Sequence, residues 1–101
     1  MGTHTCLSID RNLTIYNAAG LKDELMAALA PVDRLDLDLS RVEEMDTAGL
    51  QLLILTKQEA TRHGKAMRIV EHSPAVREVI DFYNMAAHFG DPLVILAAEA
   101  A

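Results

Sequence analysis

A chain of 101 residues holds one domain and a modest core; half of its residues are hydrophobic and 24% are charged, a globular balance rather than a disordered one. Fifteen acidic against nine basic side chains give a net charge of -6, which repels phosphate backbones and anionic lipid and argues against nucleic acid and membrane partners. The single cysteine, Cys6, excludes an internal disulfide and supplies no zinc ligand set.

The first residues, MGTHTCLSIDR, lack the apolar core of a signal peptide, and no apolar run approaches the ~20 residues of a membrane span, so a cytoplasmic protein without a membrane-inserted segment is expected. Residues 5–9 and 13–16 each alternate apolar and polar, and Asp10, Arg11 and Asn12 between them supply turn chemistry; this predicts a hairpin with Cys6 buried in its first strand. Asn17 then offers an N-cap to a helix whose Leu21, Leu25, Ala28 and Leu29 share one stripe, and Pro31 stops it.

Residues 34–40 carry the cleanest alternation in the chain. Leu35, Leu37 and Leu39 point one way, Asp36 and Asp38 the other, as in a sheet with one face open to water or to a polar contact. A second helix is predicted from Thr47 to about His63, with Gly64 closing it, and residues 66–70 follow as a short strand. Ser73 caps a third helix that has Pro74 at its first position and Val76, Val79, Ile80 and Tyr83 on its buried stripe. Residues 93–96 (LVIL) are expected as a last strand or a short helical turn, with a frayed tail over 97–101. Strands joined by helices run parallel, so the expected architecture is α/β: a mixed sheet of four to five strands, helices mainly on one face, in a single domain spanning 1–101.

The stretch from Leu35 to Lys65 carries the functional signal. A strand ends, an acidic connector follows, and Asp46-Thr47-Ala48-Gly49-Leu50 turns into a leucine-rich helix. In open α/β sheets, sites gather beyond the carboxyl ends of parallel strands, where helix N-termini point, and Thr47 falls there. Either Asp46 or Thr47 can cap the helix; if Asp46 does, the Thr47 hydroxyl is left exposed. Ala48 and Gly49 are small enough to leave the first turn bare for an approaching protein. Leu50, Leu52, Leu53, Ile54 and Leu55 exceed one buried stripe, so either Leu52 or Leu55 is expected at the surface, ringed by Glu43, Glu44, Gln51, Lys57 and Gln58. Such a patch would also support a homodimer.

At Asp46-Thr47-Ala48-Gly49-Leu50 the sequence resembles the STAS family, in which a strand is followed by Asp-Ser/Thr-x-Gly-Leu opening a helix. Residues 13–29 are similar to the family's first strand–helix unit, and residues 63–82 to its later strand and Ser-Pro-capped helix, so the resemblance covers nearly the whole chain. It implies a STAS fold and a regulatory module of the anti-sigma factor antagonist type. In such antagonists the hydroxyl after the motif aspartate is phosphorylated by a kinase that is also the anti-sigma factor, and a phosphatase resets the cycle. Carried over, the phosphoacceptor is Thr47, and the partner-binding set is Asn17, Glu44, Asp46, Thr47, Ala48, Gly49, Leu50, Gln51 and Leu52. The place of the usual Gly-Glu-Leu/Ile-Asp stretch is taken here by residues 13–18. The resemblance extends equally to the small STAS subunit that docks on the ATPase of lipid-transport ABC systems, and to STAS proteins that accompany chemotaxis kinases.

Enzymatic readings find little support. Asp36, Asp38 and Asp46 are hard oxygen ligands of the kind Mg²⁺ takes, but a solvated strand face explains them more simply. His4, His63, His72 and His88 have no metal-binding spacing, and neither a glycine-rich phosphate loop nor a Ser/Cys–His–Asp set stands out. The expectation is a protein-binding module, not an enzyme, with no cofactor and no metal.

Overall fold

The alternation of Leu35, Leu37 and Leu39 makes the segment Arg34–Leu39 the centre of the sheet: all three leucines are fully buried. The structure, a computed structural model, describes residues 2–87. Its three strands are β1 (His4–Ser8), β2 (Arg34–Leu39) and β3 (Ala66–His72), in the order β1-β2-β3 and all parallel. In register, Leu7 sits beside Leu37 and Leu37 beside Ile69; an irregularity after Leu37 then brings Asp38 beside Glu71.

Helices α1 (Ala18–Leu29) and α2 (Thr47–Arg62) are the crossovers, and α3 (Pro74–Ala87) follows β3. Both crossovers step the same way across the sheet, so their common right-handed sense puts α1 and α2 on one face, where they pack on each other. Leu21, Leu25 and Leu29 of α1, Leu50, Leu53 and Ala60 of α2, and Val76 and Ile80 of α3 join the strand leucines in a single core. This is the α/β architecture expected, with fewer strands among the described residues than the four or five foreseen and all of them parallel rather than mixed. The segments at 93–96 and 97–101 lie outside the described residues.

Two caps are built as the sequence specifies. Ser73 Oγ accepts the Val76 N–H at 3.2 Å, and the Ser73 N–H donates to Leu39 O at 3.1 Å, tying the start of α3 to the end of β2. At the end of α2 the C-cap is His63, and Gly64 lies one residue beyond it with φ +70°. There the Gly64 N–H reaches Thr61 O at 3.1 Å and the Lys65 N–H reaches Ala60 O at 2.7 Å, the paired bonds of a Schellman ending.

The hairpin does not form. Residues 13–16 make no strand beside β1; Leu13 instead forms an isolated parallel bridge with Met45, and the Asn17 N–H closes a turn onto Thr14 O at 3.0 Å. The alternation is too short to hold: Leu13 is fully buried while Ile15, two residues on, is exposed, whereas strand residues at i and i+2 share a face. Because β1 already runs parallel to β2, the chain beyond it continues past the end of β2 and meets the connector there.

The open face of the sheet also departs from expectation. Cys6 is exposed rather than buried, because its register partner is Asp36, on the side away from the leucines. Asp36 in turn is not solvated. It is only 7% exposed, lying under Arg34 (Nε to Oδ1, 3.2 Å) and Arg68 (Nε to Oδ1, 3.4 Å), whose guanidinium groups compensate the buried charge.

Candidate functional site

The segment 12–17 and the connector 44–46 are laced together, and that lacing positions Thr47. The Leu13 N–H donates to Glu44 O at 3.0 Å and the Asp46 N–H to Leu13 O at 3.1 Å. The Glu44 N–H donates to Asn12 Oδ1 at 3.1 Å, and Asn12 Nδ2 reaches Glu44 Oε1 at 3.3 Å. Asn17 stands at the N-cap position of α1 but its side chain does not cap; Nδ2 donates to Asn12 O at 2.9 Å and braces the same loop. The helix goes uncapped there because the loop competes for the amide.

Asp46 caps α2. Its Oδ1 accepts the Gly49 N–H at 3.0 Å and its Oδ2 the Ile15 N–H at 3.1 Å, so one carboxylate serves helix and loop together. These two bonds, the Gly49 one first, hold the Asp46 carboxyl below its ordinary value of 3.8. With the cap supplied by its neighbour, Thr47 at the first helical position is exposed. Asp38, at the end of β2, is likewise lowered by the Ser40 hydroxyl and then the Ser40 N–H, the hydroxyl lying 2.6 Å from Oδ1.

A pH dependence follows, with its sign fixed by the direction of these shifts. A carboxylate whose folded-state value is depressed stabilises the fold fully above its unfolded value; that contribution is lost as pH falls through the folded one. Acid unfolding of the wild type should therefore steepen below about pH 4. Asp46→Asn keeps a capping oxygen but no titration, so its unfolding midpoint, followed by circular dichroism from pH 6 to 2, should fall less steeply with pH than that of the wild type. Parallel curves would remove Asp46 from the acid response.

The glycine of the motif has a different role from the one its size suggests. Gly49 is buried, and a Cβ built on it would stand 2.0 Å from Leu13 O and 2.6 Å from Leu13 C. Its missing side chain admits the chain's own loop, not a partner. Leu50 and Leu52 are also buried, so of the expected contact residues Gly49, Leu50 and Leu52 present little surface. Leu55 is the exposed leucine of α2, yet eight residues at 1.5 Å each place it about 12 Å along the helix from Thr47. Lys57 and Gln58 lie farther still, and Lys57 Nζ reaches Met67 O on β3 at 3.3 Å, so neither belongs to a ring around Thr47.

What the fold does bring together is Asn17, Glu44, Asp46 and Thr47, with Ala48 next to Thr47 and Gln51 one helical turn on; Glu43 is exposed but lines a separate depression with Arg41 and Ser73. Two shallow clefts share Met45 and Asp46 as a common wall. One is lined further by Tyr16, Asn17 and Glu44, the other by Thr47, Glu78, Val79 and Phe82. Tyr16 is 94% exposed, Phe82 73% and Ile15 67%. These three were missed by sequence reasoning, Ile15 and Tyr16 because they sat in the supposed strand. Phe82 carried a usable signal, a large apolar residue off the Val76–Ile80 stripe.

Among the described residues no group of three or more His, Cys, Asp or Glu side chains could hold a metal ion, and no helix is long and apolar enough to cross a membrane.

Comparison with known proteins agrees with the fold. A family model described as "Mlab, STAS domain" matches residues 2–95. The solved structure of the anti-sigma factor antagonist SpoIIAA in its unphosphorylated form superposes with a TM-score of 0.69 at 17% sequence identity, covering 84% of this chain and 76% of that one. A search of proteins with curated function finds no match.

Proposed function

The chain belongs to the STAS domain family, and on that premise we propose that it is a non-catalytic regulatory module that docks a protein partner on the face around Thr47. The observation that carries this reading is the division of labour at the start of α2: Asp46 spends both carboxylate oxygens on the cap and the loop, and Thr47 stands exposed beside it. A hydroxyl that is not needed for capping is available to be read.

The partner is a kinase-type anti-sigma factor, the setting is the cytoplasm, and Thr47 is the phosphoacceptor, returned to its free hydroxyl by a phosphatase. The electrostatics support a switch. Phosphate brings roughly -1.5 to -2 charge at neutral pH. The cleft that Thr47 lines contains Asp46 and Glu78 and no Lys or Arg, so the new charge meets acid rather than a guanidinium that would hold it in place. Added negative charge at this spot must be stripped of water when a partner closes over Thr47, with no cation of this cleft to offset the loss.

A second reading is favoured by one observation, the Mlab description of the matching family. Under it the same face docks constitutively on the ATPase subunit of a lipid-transport ABC complex, and Thr47 is a contact rather than an acceptor.

Incubation with the cognate anti-sigma kinase and ATP separates the two. The first reading expects a phosphate mass shift on the peptide containing Thr47, absent from Thr47→Val, whereas the second expects no shift and stable co-purification with the ABC ATPase. Phosphate on another residue, or neither outcome, would remove Thr47 from the centre of the function.

A further inference from the structure

The two clefts that meet at Met45 and Asp46 are built alike. Each is lined by one exposed aromatic ring and one glutamate: Tyr16 with Glu44 on one side, Phe82 with Glu78 on the other. Neither is lined by a lysine or arginine, although the chain has nine; Arg41 and Lys65 line other depressions. Two large rings left in water beside an acidic wall are costly for an isolated surface, and aromatic residues of this kind serve as anchors where proteins meet. Ile15, held against Asp46 through its N–H, adds apolar area next to Tyr16.

We propose that Tyr16 and Phe82 are paired anchors that insert into two apolar sockets of a protein partner, and that lysine or arginine side chains between those sockets meet Glu44, Asp46 and Glu78. The inference rests on the reading of Thr47 as the centre of a docking face, and it specifies the chemistry of the opposing surface: apolar at two points, basic between them. Charge complementarity commits the face to a basic protein surface rather than to a second copy of this acidic chain, since each copy would bring the same glutamates to the contact. It also gives the phosphate a mechanism, because Thr47 lines the cleft of Phe82, where a bulky, hydrated group obstructs the socket that takes the ring.

The test titrates wild type, Tyr16→Ala, Phe82→Ala, Val70→Ala and Thr47→Arg against the purified kinase-type anti-sigma factor and the purified ABC ATPase of the same cells, each at low and high salt. Both rings are exposed, so their removal should leave the circular dichroism spectrum unchanged. Against whichever partner binds, loss of either ring should weaken affinity about thirtyfold, the level of an interface hot spot. Val70→Ala, an exposed apolar change on β3, should stay within about twofold, and wild-type affinity should fall as salt rises.

Anchors that can be removed without loss, while Thr47→Arg abolishes binding, overturn this inference and leave the Thr47 face standing. Binding unaffected by Thr47→Arg, or no binding of the wild type to either protein, overturns both. Affinity indifferent to salt removes the basic surface. A wild-type homodimer in sedimentation that Tyr16→Ala or Phe82→Ala dissociates names a second copy as the occupant and overturns the proposal. So does a cross-link from position 82 to residues 88–101 of the same chain.

Discussion

Gly49→Ala should destabilise the fold by about 3 kcal/mol, lowering the thermal midpoint by roughly 12–24 °C for a domain of this size. The added methyl would stand 2.0 Å from the Leu13 carbonyl oxygen and 2.8 Å from Leu13 Cβ, distances at which something must move. Neither side yields cheaply. Leu13 is fully buried and its backbone is held by bonds to Glu44 and from Asp46, while Gly49 itself is tied to Asp46 through its N–H. The clash outweighs the gain in helix propensity, about 1 kcal/mol, that alanine otherwise brings over glycine.

Gly20 supplies the internal control. It lies in α1 with nothing within 4 Å of a built Cβ, so Gly20→Ala should stabilise by about 0.5–1 kcal/mol. The same substitution in two helices thus carries opposite signs, and calorimetry on both variants checks it. A Gly49→Ala protein that melts with the wild type would show that the loop does not rest on α2 as described. Because Tyr16 follows the displaced loop, the variant should also lose partner affinity, and hydrogen exchange at the Ile15 amide should accelerate.

Thr47→Glu should weaken partner binding about a hundredfold while leaving the fold intact, a loss of about 3 kcal/mol in affinity. The two effects separate for a physical reason. A carboxylate at the first turn of a helix is favoured by the helix dipole, so stability should hold or rise slightly. At the interface the same charge must shed its water against the apolar socket that takes Phe82, which lines the same cleft as Thr47, a cost an uncharged side chain does not meet. Thr47→Gln, nearly the same size and uncharged, distinguishes charge from bulk: it should lose no more than about tenfold. If Glu and Gln weaken binding equally, charge is not the switch, and a Thr47→Glu protein that binds like wild type would remove Thr47 from the interface.

The residue sequence by itself determined whatever depends on neighbours along the chain. The period-two leucines of β2, the 3.6-residue stripe of Leu21, Leu25 and Leu29, the Ser73-Pro74 start of α3, the Gly64 ending of α2 and the place of Thr47 beyond a parallel strand all follow from local spacing and backbone preference. Local spacing could also narrow the cap of α2 to Asp46 or Thr47, without choosing between them.

Only the tertiary structure decided which non-local partner each segment meets. Leu13 pairs with Met45 because β1 runs parallel to β2, a fact no four-residue alternation contains, and from that pairing come the exposure of Ile15 and Tyr16, the second bond to Asp46 and the need for glycine at 49. Cys6 lies beside Asp36, and Arg68 lies over it, for the same reason: strand register, set by contacts thirty residues apart, assigns neighbours that composition leaves open.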